Sequence, residues 1–170
     1  MVSDPMQVLE PVYDEENVKK ILEMVKDPEI PVLAIEDMGI VRDIEFEEGG
    51  VQVSIMPTYS GCPAMDVIAE DVRSALLLHG YKKIEVKTVL SPAWSSDFIT
   101  DKGKKCLQEY GIAPPVSAGS KGAMLGIDPV GCPQCKSTNT RVVSEFGSTA
   151  CKALYKCDDC LEPFDYFKCV

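Results

Sequence analysis

The stretch VQVSIMPTYSGCPAMDVIAEDVRSALLLHGYKKIEVKT, residues 51–88, decides the fold of the first part of the chain. Its two ends alternate apolar with polar residues, which is typical of strands. Between them, Pro63 suits the first turn of a helix and Gly80 ends it. The buried stripe of this helix consists of Ile68, Val72, Ala75 and Leu76. A strand, a helix and a strand in succession predict a right-handed crossover between two parallel strands.

Two patterns precede this unit. Residues 14–26 have apolar side chains at helical spacing, with Asp14 as a cap and Asp27-Pro28 as the stop. Two alternating strands follow, joined by the turn EEGG at residues 47–50, which predicts a hairpin.

A short helix over residues 102–110, closed by Gly111, follows the crossover unit. We therefore expect an α+β fold over residues 1–111. It would have a small mixed three-stranded sheet with helices, in the order helix-strand-strand-helix-strand-helix.

The end of the chain predicts a separate small unit. Residues 112–130 are rich in Gly, Pro, Ser and Ala and predict a linker. Residues 131–170 carry two Cys-x-x-Cys pairs, which are typical of a closed tetrahedral zinc site. A unit this small needs such a metal to fold. We predict a zinc-ribbon-like β unit with the structural ligands Cys132, Cys135, Cys157 and Cys160.

Some questions about this unit stay open from the residues alone. Four thiolates also suit iron, alone or in a cluster. Cys151 has no partner at ligand spacing, although it can replace one of the four ligands, and Cys169 suits a packing role.

The net charge of −10 argues against two classes of partner. An acidic surface repels phosphate backbones and anionic lipid, and no apolar run approaches the ~20 residues of a membrane span. We therefore expect neither nucleic acid nor a membrane as partner. With no secretory signal visible, we expect a cytoplasmic protein whose cysteines are thiols or metal ligands.

Cys62 stands at the mouth of the crossover helix, framed by Thr58 and Ser60. Unpaired backbone N–H groups and the helix dipole stabilise a thiolate at such a position. Asp27 and Glu29 lie in a proline-bracketed loop that can close over the same end of the sheet. The alternative is that Cys62 is a small packed side chain in a turn.

A Cys-His nucleophile pair is not expected. His79, the only histidine, lies at the other end of the helix that Cys62 begins, where it can pair with the last carbonyl groups. Cys106, in the later helix, suits a packing role.

The stretches DPEIPVLAIEDMGIVRDI at 27–44 and PTYSGCPAMDVIAEDV at 57–72 resemble the metal–sulfur cluster biosynthesis domain family. The stretches at 90–115 and 146–169 narrow the resemblance to the D subunits of bacterial phenylacetyl-CoA epoxidases, also called ring-1,2-phenylacetyl-CoA oxygenase complexes. The resemblance runs from about residue 14 to the end of the chain.

The resemblance implies a binding site. The cysteine of the family falls on Cys62, and the matching positions around it are Asp27, Thr58 and Ser60. Trp94 and Asp97 also match, either as site lining or as loop packing.

The resemblance further implies an accessory protein of a di-iron monooxygenase in phenylacetate degradation, not the enzyme itself. The chain has no Glu-x-x-His motif for a di-iron centre and no plant-type ferredoxin spacing. The implied role is maturation of iron–sulfur or other metal centres, with structural zinc and with transient iron or an iron–sulfur cluster at Cys62. The implied partners are the oxygenase subunits and the iron–sulfur reductase of the complex.

Two alternatives stay open. One is a stable structural subunit with no role in metal transfer. The other is a thiol enzyme with Cys62 as nucleophile, which the lack of a nearby base disfavours. Because one thiol cannot hold a cluster alone, a homodimer or a client protein would supply further ligands.

The first ribbon knuckle departs from the expected pattern. It reads CPQCK, with Lys136 where ribbons of this kind have glycine. A left-handed conformation at Lys136 would cost roughly 1–2 kcal/mol. We expect a slightly weaker ribbon with its metal site retained.

Overall fold

The computed structural model describes residues 10–116 and 129–168, which form two small sheets and their helices. Most of the predicted linker, residues 117–128, and Cys169 lie outside the described residues. The helices are α1 (Glu15–Leu22), α2 (Ala64–Leu78) and α3 (Asp101–Tyr110), with a short 3₁₀ helix at Ser96–Phe98. The strands are β1 (Val41–Glu47), β2 (Gly50–Ile55), β3 (Lys83–Thr88), β4 (Ile112–Ala113), β5 (Thr140–Ser144), β6 (Lys152–Cys157) and β7 (Pro163–Phe167).

The first sheet is mixed and has the order β1-β2-β3, which confirms the predicted fold class. β1 and β2 are antiparallel, and β2 pairs in parallel with β3 through the crossover helix α2. The hairpin turns at Glu48 and Gly49, whose φ angles are 40° and 74°. Two consecutive positive φ angles match the twist of the flanking strands.

The helices begin where the sequence predicts, but α1 is shorter than expected. Asp14 caps it through Oδ2, which accepts from Asn17 N at 3.2 Å. The helix ends at Leu22 because the amides of Met24 and Val25 donate to carbonyls three residues back, as in Val25 N to Leu22 O at 3.0 Å. No helix among the described residues is long and apolar enough to cross a membrane.

The proline-bracketed loop after α1 lies close against the 3₁₀ helix at Gly39 and against α3 at Asp37. A Cβ added at Gly39 would lie 2.5 Å from Phe98 Cβ, and one at Gly103 would lie 2.6 Å from Asp37 O. Asp37 also accepts from the Thr100 hydroxyl at 2.9 Å. These contacts hold in place the loop that carries Asp27 and Glu29.

The second sheet has the order β4-β7-β6-β5 and differs from the prediction at its edge. Ile112 and Ala113, the first residues of the predicted linker, form β4 and pair in parallel with β7. Both side chains are buried, which explains why they join the sheet although the segment around them reads as a linker. The ribbon sheet therefore contains chain from both sides of residues 117–128.

The ribbon packs against the core of the first sheet. Cys151 and Phe167 belong to the same buried cluster as the apolar residues of α1, α2 and the first sheet. Phe167 is fully buried, and its ring meets that of Trp94 edge to face. The ribbon, expected as a separate unit, thus shares a hydrophobic core with the first part of the chain.

Candidate functional site

The four predicted zinc ligands of the ribbon converge on one point. All four sulfur atoms lie within 4.8 Å of one another. Cys132 Sγ lies 3.7 Å from Cys160 Sγ, and Cys135 Sγ lies 3.6 Å from Cys157 Sγ. Zinc–sulfur bonds of about 2.3 Å put the sulfurs of a tetrahedral site about 3.8 Å apart, so the spacing fits zinc. In the described part of the chain, no other group of three or more potential ligands comes this close.

Both knuckles of the ribbon use the same backbone turn. The residue after the second cysteine has a positive φ in each, 64° at Lys136 and 66° at Leu161. In the second knuckle, the backbone N–H groups of Cys160 and Asp159 point at the Cys157 sulfur. They lower the pKa of the Cys157 thiol to about 7. Such contacts favour the thiolate, which is the form that binds metal.

Polar side chains hold the two knuckles together. Ser137 and Asn139, after the first knuckle, donate hydrogen bonds to the carboxylate of Asp159 in the second. These bonds lower the pKa of Asp159. Arg141 Nε lies 3.1 Å from Asp158 Oδ1. The arrangement of the sulfurs therefore rests on protein contacts as well as on a metal.

Cys62 lies in the loop between β2 and α2, next to Pro63 at the start of the helix. Its amide donates to Tyr59 O at 3.3 Å, and its carbonyl accepts from Met65 N at 3.4 Å. Gly61, with a φ of 82°, allows the turn. The thiol is half-buried and packs against the main core. It therefore lies at the mouth of α2, where sequence spacing predicts it, between core and solvent.

The Tyr59 hydroxyl group interacts with the Cys62 thiol. Burial, the hydrogen bond with Cys62 and nearby negative charges raise the pKa of Tyr59 to about 12. The charges belong to Cys62, Glu29 and Cys151. Tyr59 therefore keeps its proton at neutral pH and can donate to a thiolate. Sequence spacing predicts Thr58 and Ser60 in this role; Thr58 is buried and Ser60 is exposed.

Asp27 organises the loop beside this thiol. Its side chain is 6% exposed, and Oδ1 accepts from the amides of Glu29 and Ile30, each at 2.8 Å. Burial raises the pKa of Asp27, against the effect of the two amides. The Asp27 carboxylate thus sets the position of Glu29.

Glu29 reaches across to the ribbon. Its Oε2 lies 3.8 Å from Cys151 Sγ, and Thr149 Oγ1 lies 3.0 Å from the same sulfur. Cys151 is 3% exposed, and burial together with the Glu29 charge raises its pKa. The next residue, Lys152, is also buried, and its charge acts on both Asp27 and Cys151. The buried thiol of Cys151 therefore links the ribbon to the loop that carries Glu29.

The remaining predicted residues lie elsewhere. Trp94 is buried and its Nε1 donates to Met38 O at 3.1 Å, as part of the packing between the sheets. Asp97 is exposed on the 3₁₀ helix. His79 Nδ1 lies 2.7 Å from Ala75 O at the far end of α2, so His79 pairs with a helix carbonyl as expected.

Two known families match the chain, one on each sheet. The family described as iron-sulfur cluster assembly protein matches residues 15–88, and the PaaD zinc beta ribbon domain matches residues 117–168. A relative from Escherichia coli (strain K12) carries a provisional name as the D subunit of 1,2-phenylacetyl-CoA epoxidase. It is 47% identical over 150 residues, which are 88% of this chain and 90% of the relative. The chain belongs to this epoxidase D-subunit family.

Other relatives of this member of the D-subunit family match its first part. YitW of Bacillus subtilis (strain 168), named an Fe-S protein maturation auxiliary factor, is 35% identical over 95 residues, covering 55% of this chain and 92% of YitW. A similarly named factor of Porphyromonas gingivalis (strain ATCC BAA-308 / W83) is 33% identical over 90 residues, 52% of this chain and 85% of the factor. The crystal structure of a domain of unknown function, DUF59, from Bacillus anthracis has a TM-score of 0.51 and 30% identity over 55% of this chain and 90% of that one.

The sequence analysis of this D-subunit homologue does not predict two kinds of residue that the structure places around Cys62 and Glu29. Tyr59 is within reach of such a prediction, because it stands between the two hydroxyl residues Thr58 and Ser60. Cys151 and Lys152 are not, because they come from the other sheet and spacing along the chain cannot bring them near Cys62.

Proposed function

We propose that this chain is an accessory protein of the phenylacetyl-CoA epoxidase complex that helps to mature the iron–sulfur or other metal centres of its partner subunits. Membership in the epoxidase D-subunit family supports the link to the epoxidase. The match of residues 15–88 to an iron-sulfur cluster assembly family supports the role in maturation.

The observation that carries the proposal is the Cys62 thiol. It lies inside the assembly-family match, half-buried at the mouth of α2, beside a tyrosine hydroxyl that stays protonated. A thiolate with a hydrogen-bond donor and partial access to solvent suits iron that is held briefly and then passed on. Asp27 would serve this site by holding the loop, while Thr58 and Ser60 would shape the turn.

The ribbon would have a different role. We propose that Cys132, Cys135, Cys157 and Cys160 hold one zinc ion. The donor set of four thiolates within 4.8 Å fits the ion, and a site with four protein ligands has no open position for chemistry. Zinc would supply folding free energy to the ribbon and keep its surface rigid for docking.

The test is the metal content of the partners in cells. Cys62→Ala should leave the chain folded and zinc-loaded and should lower the iron content of the epoxidase oxygenase or its iron–sulfur reductase. The matched control is Cys106→Ala, a half-buried cysteine on α3 outside the described thiol site. Normal iron loading in the Cys62→Ala strain would contradict the proposal.

A second candidate is a stable structural subunit without metal transfer. It is favoured by the edge of the ribbon sheet, where Val142 and Val143 of the outer strand β5, and Phe146 just after it, are more than half exposed. A stoichiometric complex with the oxygenase that survives gel filtration, together with normal iron loading in Cys62→Ala, would favour this candidate. The same experiment reports whether the chain alone is a homodimer.

A further inference from the structure

We propose that the open edge of β3 is the interface of a homodimer, in which β3 of one copy pairs antiparallel with β3 of a second copy of this chain. The pairing would be centred on Val86 and would join the two mixed sheets into one continuous sheet. This inference concerns the assembly of the chain and does not rest on the proposed function.

Among the described strands, β3 is the edge strand with the least protection against pairing. It is the outermost strand of the first sheet, and its six residues pair with β2 in unbroken register. The other edge strands carry features that hinder pairing, since β1 and β5 each contain a register shift and β4 has two residues. Bulges and short strands are common protection against strand addition. The edge of β3 is therefore the one best suited to another strand.

The backbone groups of β3 are arranged to accept such a strand. Val89 N donates to Ile55 O at 2.8 Å, on the side of β2. Because the direction of backbone groups alternates along a strand, those of Ile84, Val86 and Thr88 point to the open edge. In the described parts of the chain, no turn or loop forms a backbone hydrogen bond with these outward groups. Two antiparallel copies centred on Val86 would pair them with one another.

The charges of β3 are self-complementary in this register. Lys83, Glu85 and Lys87 are exposed, and within one chain Lys87 Nζ lies 3.5 Å from Glu85 Oε1. With the pair centred on Val86, Glu85 of each copy lies opposite Lys87 of the other. Opposite charges in facing positions stabilise a strand pair, and like charges destabilise it. A register centred on Glu85 would put Lys83 opposite Lys87, so the lysines that deter other strands also reject this slip.

The length of the strand selects this register over the remaining one. A register centred on Ile84 also puts opposite charges together, but it places Thr88 opposite Gly80, which lies outside β3. The register centred on Val86 keeps every residue from Ile84 to Thr88 paired within β3 of both copies. It therefore retains the most backbone hydrogen bonds.

Exposed leucines precede and follow β3 along the chain. The helix α2 packs on β3, and Leu77 and Leu78 at the end of this helix are 62% and 79% exposed. Leu90, just after β3, is 67% exposed. A joined sheet brings a second α2 beside the first and covers part of this apolar surface. Hydrophobic contact would thus add to the backbone pairing.

The test uses the full chain with its ribbon loaded with zinc and measures its mass by sedimentation equilibrium over a concentration series. The variants are Glu85→Lys, Lys87→Glu and the double variant with both changes. The matched control is Glu47→Lys, at an exposed glutamate on the edge strand β1. Zinc content and far-ultraviolet circular dichroism report whether each variant is folded.

We expect the wild type and Glu47→Lys to dimerise equally. In each single variant of β3, like charges face each other across the pair, so the dissociation constant of the dimer should rise at least about tenfold. The double variant restores opposite charges and should dimerise like the wild type. An equimolar mixture of the two single variants should form a heterodimer for the same reason.

Rescue in both the double variant and the mixture supports the inference. Dimerisation that is equally strong in the wild type and in both single variants would overturn it. An equal loss of the dimer in Glu47→Lys would also overturn it, because net charge and not β3 pairing would then control assembly. A wild type that is monomeric at every concentration would overturn the homodimer. If the β3 variants then weaken binding to the oxygenase, the edge belongs to that partner.

Discussion

The indole ring of Trp94 meets the phenyl ring of Phe167 edge to face, with ring centroids 5.9 Å apart and an interplanar angle of 71°. Trp94 precedes the 3₁₀ helix of the first unit, and Phe167 ends the last ribbon strand. Cys151 lies in the same core cluster. The ribbon is therefore held by side-chain packing as well as by its covalent connection. Because this chain has one tryptophan, that residue reports on the contact.

We expect that removal of the ribbon metal changes the fluorescence of Trp94. Without the metal the two knuckles lose the bonds that join their four cysteines, the ribbon loses its fold, and Phe167 leaves Trp94 exposed to water. The measurement is the emission maximum during titration with a chelator at neutral pH, followed beside zinc release. The emission should shift to longer wavelength in step with zinc loss.

Two phenylalanine variants test the reason for this change. Phe167→Leu should alter Trp94 emission with zinc still bound. Phe164→Leu should not, because Phe164 is buried in the ribbon's own cluster and packs on Tyr155. Complete zinc loss with unchanged emission would show that the ribbon stays docked without its metal.

Replacement of Lys136 by glycine should stabilise the ribbon. The φ of 64° at Lys136 is a left-handed conformation that costs a side-chain residue roughly 1–2 kcal/mol, and glycine avoids this cost. We expect Lys136→Gly to raise the free energy of unfolding of the zinc-loaded protein by about 1 kcal/mol in urea. Leu161→Gly, at the equivalent place in the second knuckle, should act in the same direction.

The matched control for this prediction is Lys136→Ala. It removes the hydrogen bond from Lys136 Nζ to Pro133 O at 2.8 Å, as glycine does, but keeps a Cβ at the same φ. If the alanine and glycine variants are equally stable, backbone strain at Lys136 is not the cause.

We expect the Asp27 side chain to stabilise the loop by accepting hydrogen bonds, and not through its negative charge. Asp27→Ala removes the acceptor of two amides and should cost about 1–2 kcal/mol. Asp27→Asn retains an oxygen at this position and should be at least as stable as the wild type at neutral pH. The measurement is the free energy of unfolding of the three proteins.

The pH dependence of stability shows which protonation state of Asp27 stabilises the fold. Burial raises the pKa of Asp27 above its ordinary value of 3.8 in the folded protein. The protonated side chain of Asp27 therefore contributes its full stabilisation of the fold below pH 3.8. This stabilisation is lost as the pH rises through the folded pKa. The stability of Asp27→Asn relative to the wild type should increase over this range and then stay constant. A relative stability that falls instead would mean that the ionised carboxylate, through Lys152, stabilises the fold.

The contact between Tyr59 and Cys62 should be visible in the titration of the phenol. Cys62→Ala removes a hydrogen bond and a negative charge, so the pKa of Tyr59 should fall from about 12 toward 10.0. Phenolate absorbance should then appear at a lower pH than in the wild type. The Tyr59→Phe variant gives the titration curve without this residue. Cys106→Ala should titrate like the wild type, and identical curves for all cysteine variants would argue against the contact.

Local patterns are sufficient to predict most of the secondary structure. The alternation in β1 to β3, the apolar stripe of α2 and the stops at Gly80 and Gly111 each depend on residues close in the chain. The left-handed conformation of Lys136 is likewise predictable, since a knuckle turn imposes it on whichever residue follows the second cysteine. The end of α1 differs from the prediction because amides after Leu22 donate to carbonyls three residues back. The strand β4 differs because the buried Ile112 and Ala113 pair with β7, which lies far along the chain.

The sequence by itself determined the fold class, the four ribbon cysteines that converge and the position of Cys62 at the mouth of α2, since these follow from periodicity and spacing. The tertiary structure decided which groups surround that thiol. Glu29 and Cys151 stand 122 positions apart, and the burial of Phe167 and Cys151 in the core of the first sheet brings the ribbon against the loop that carries Glu29. Hydrophobic contact between distant segments, which no local pattern encodes, packed the two units together.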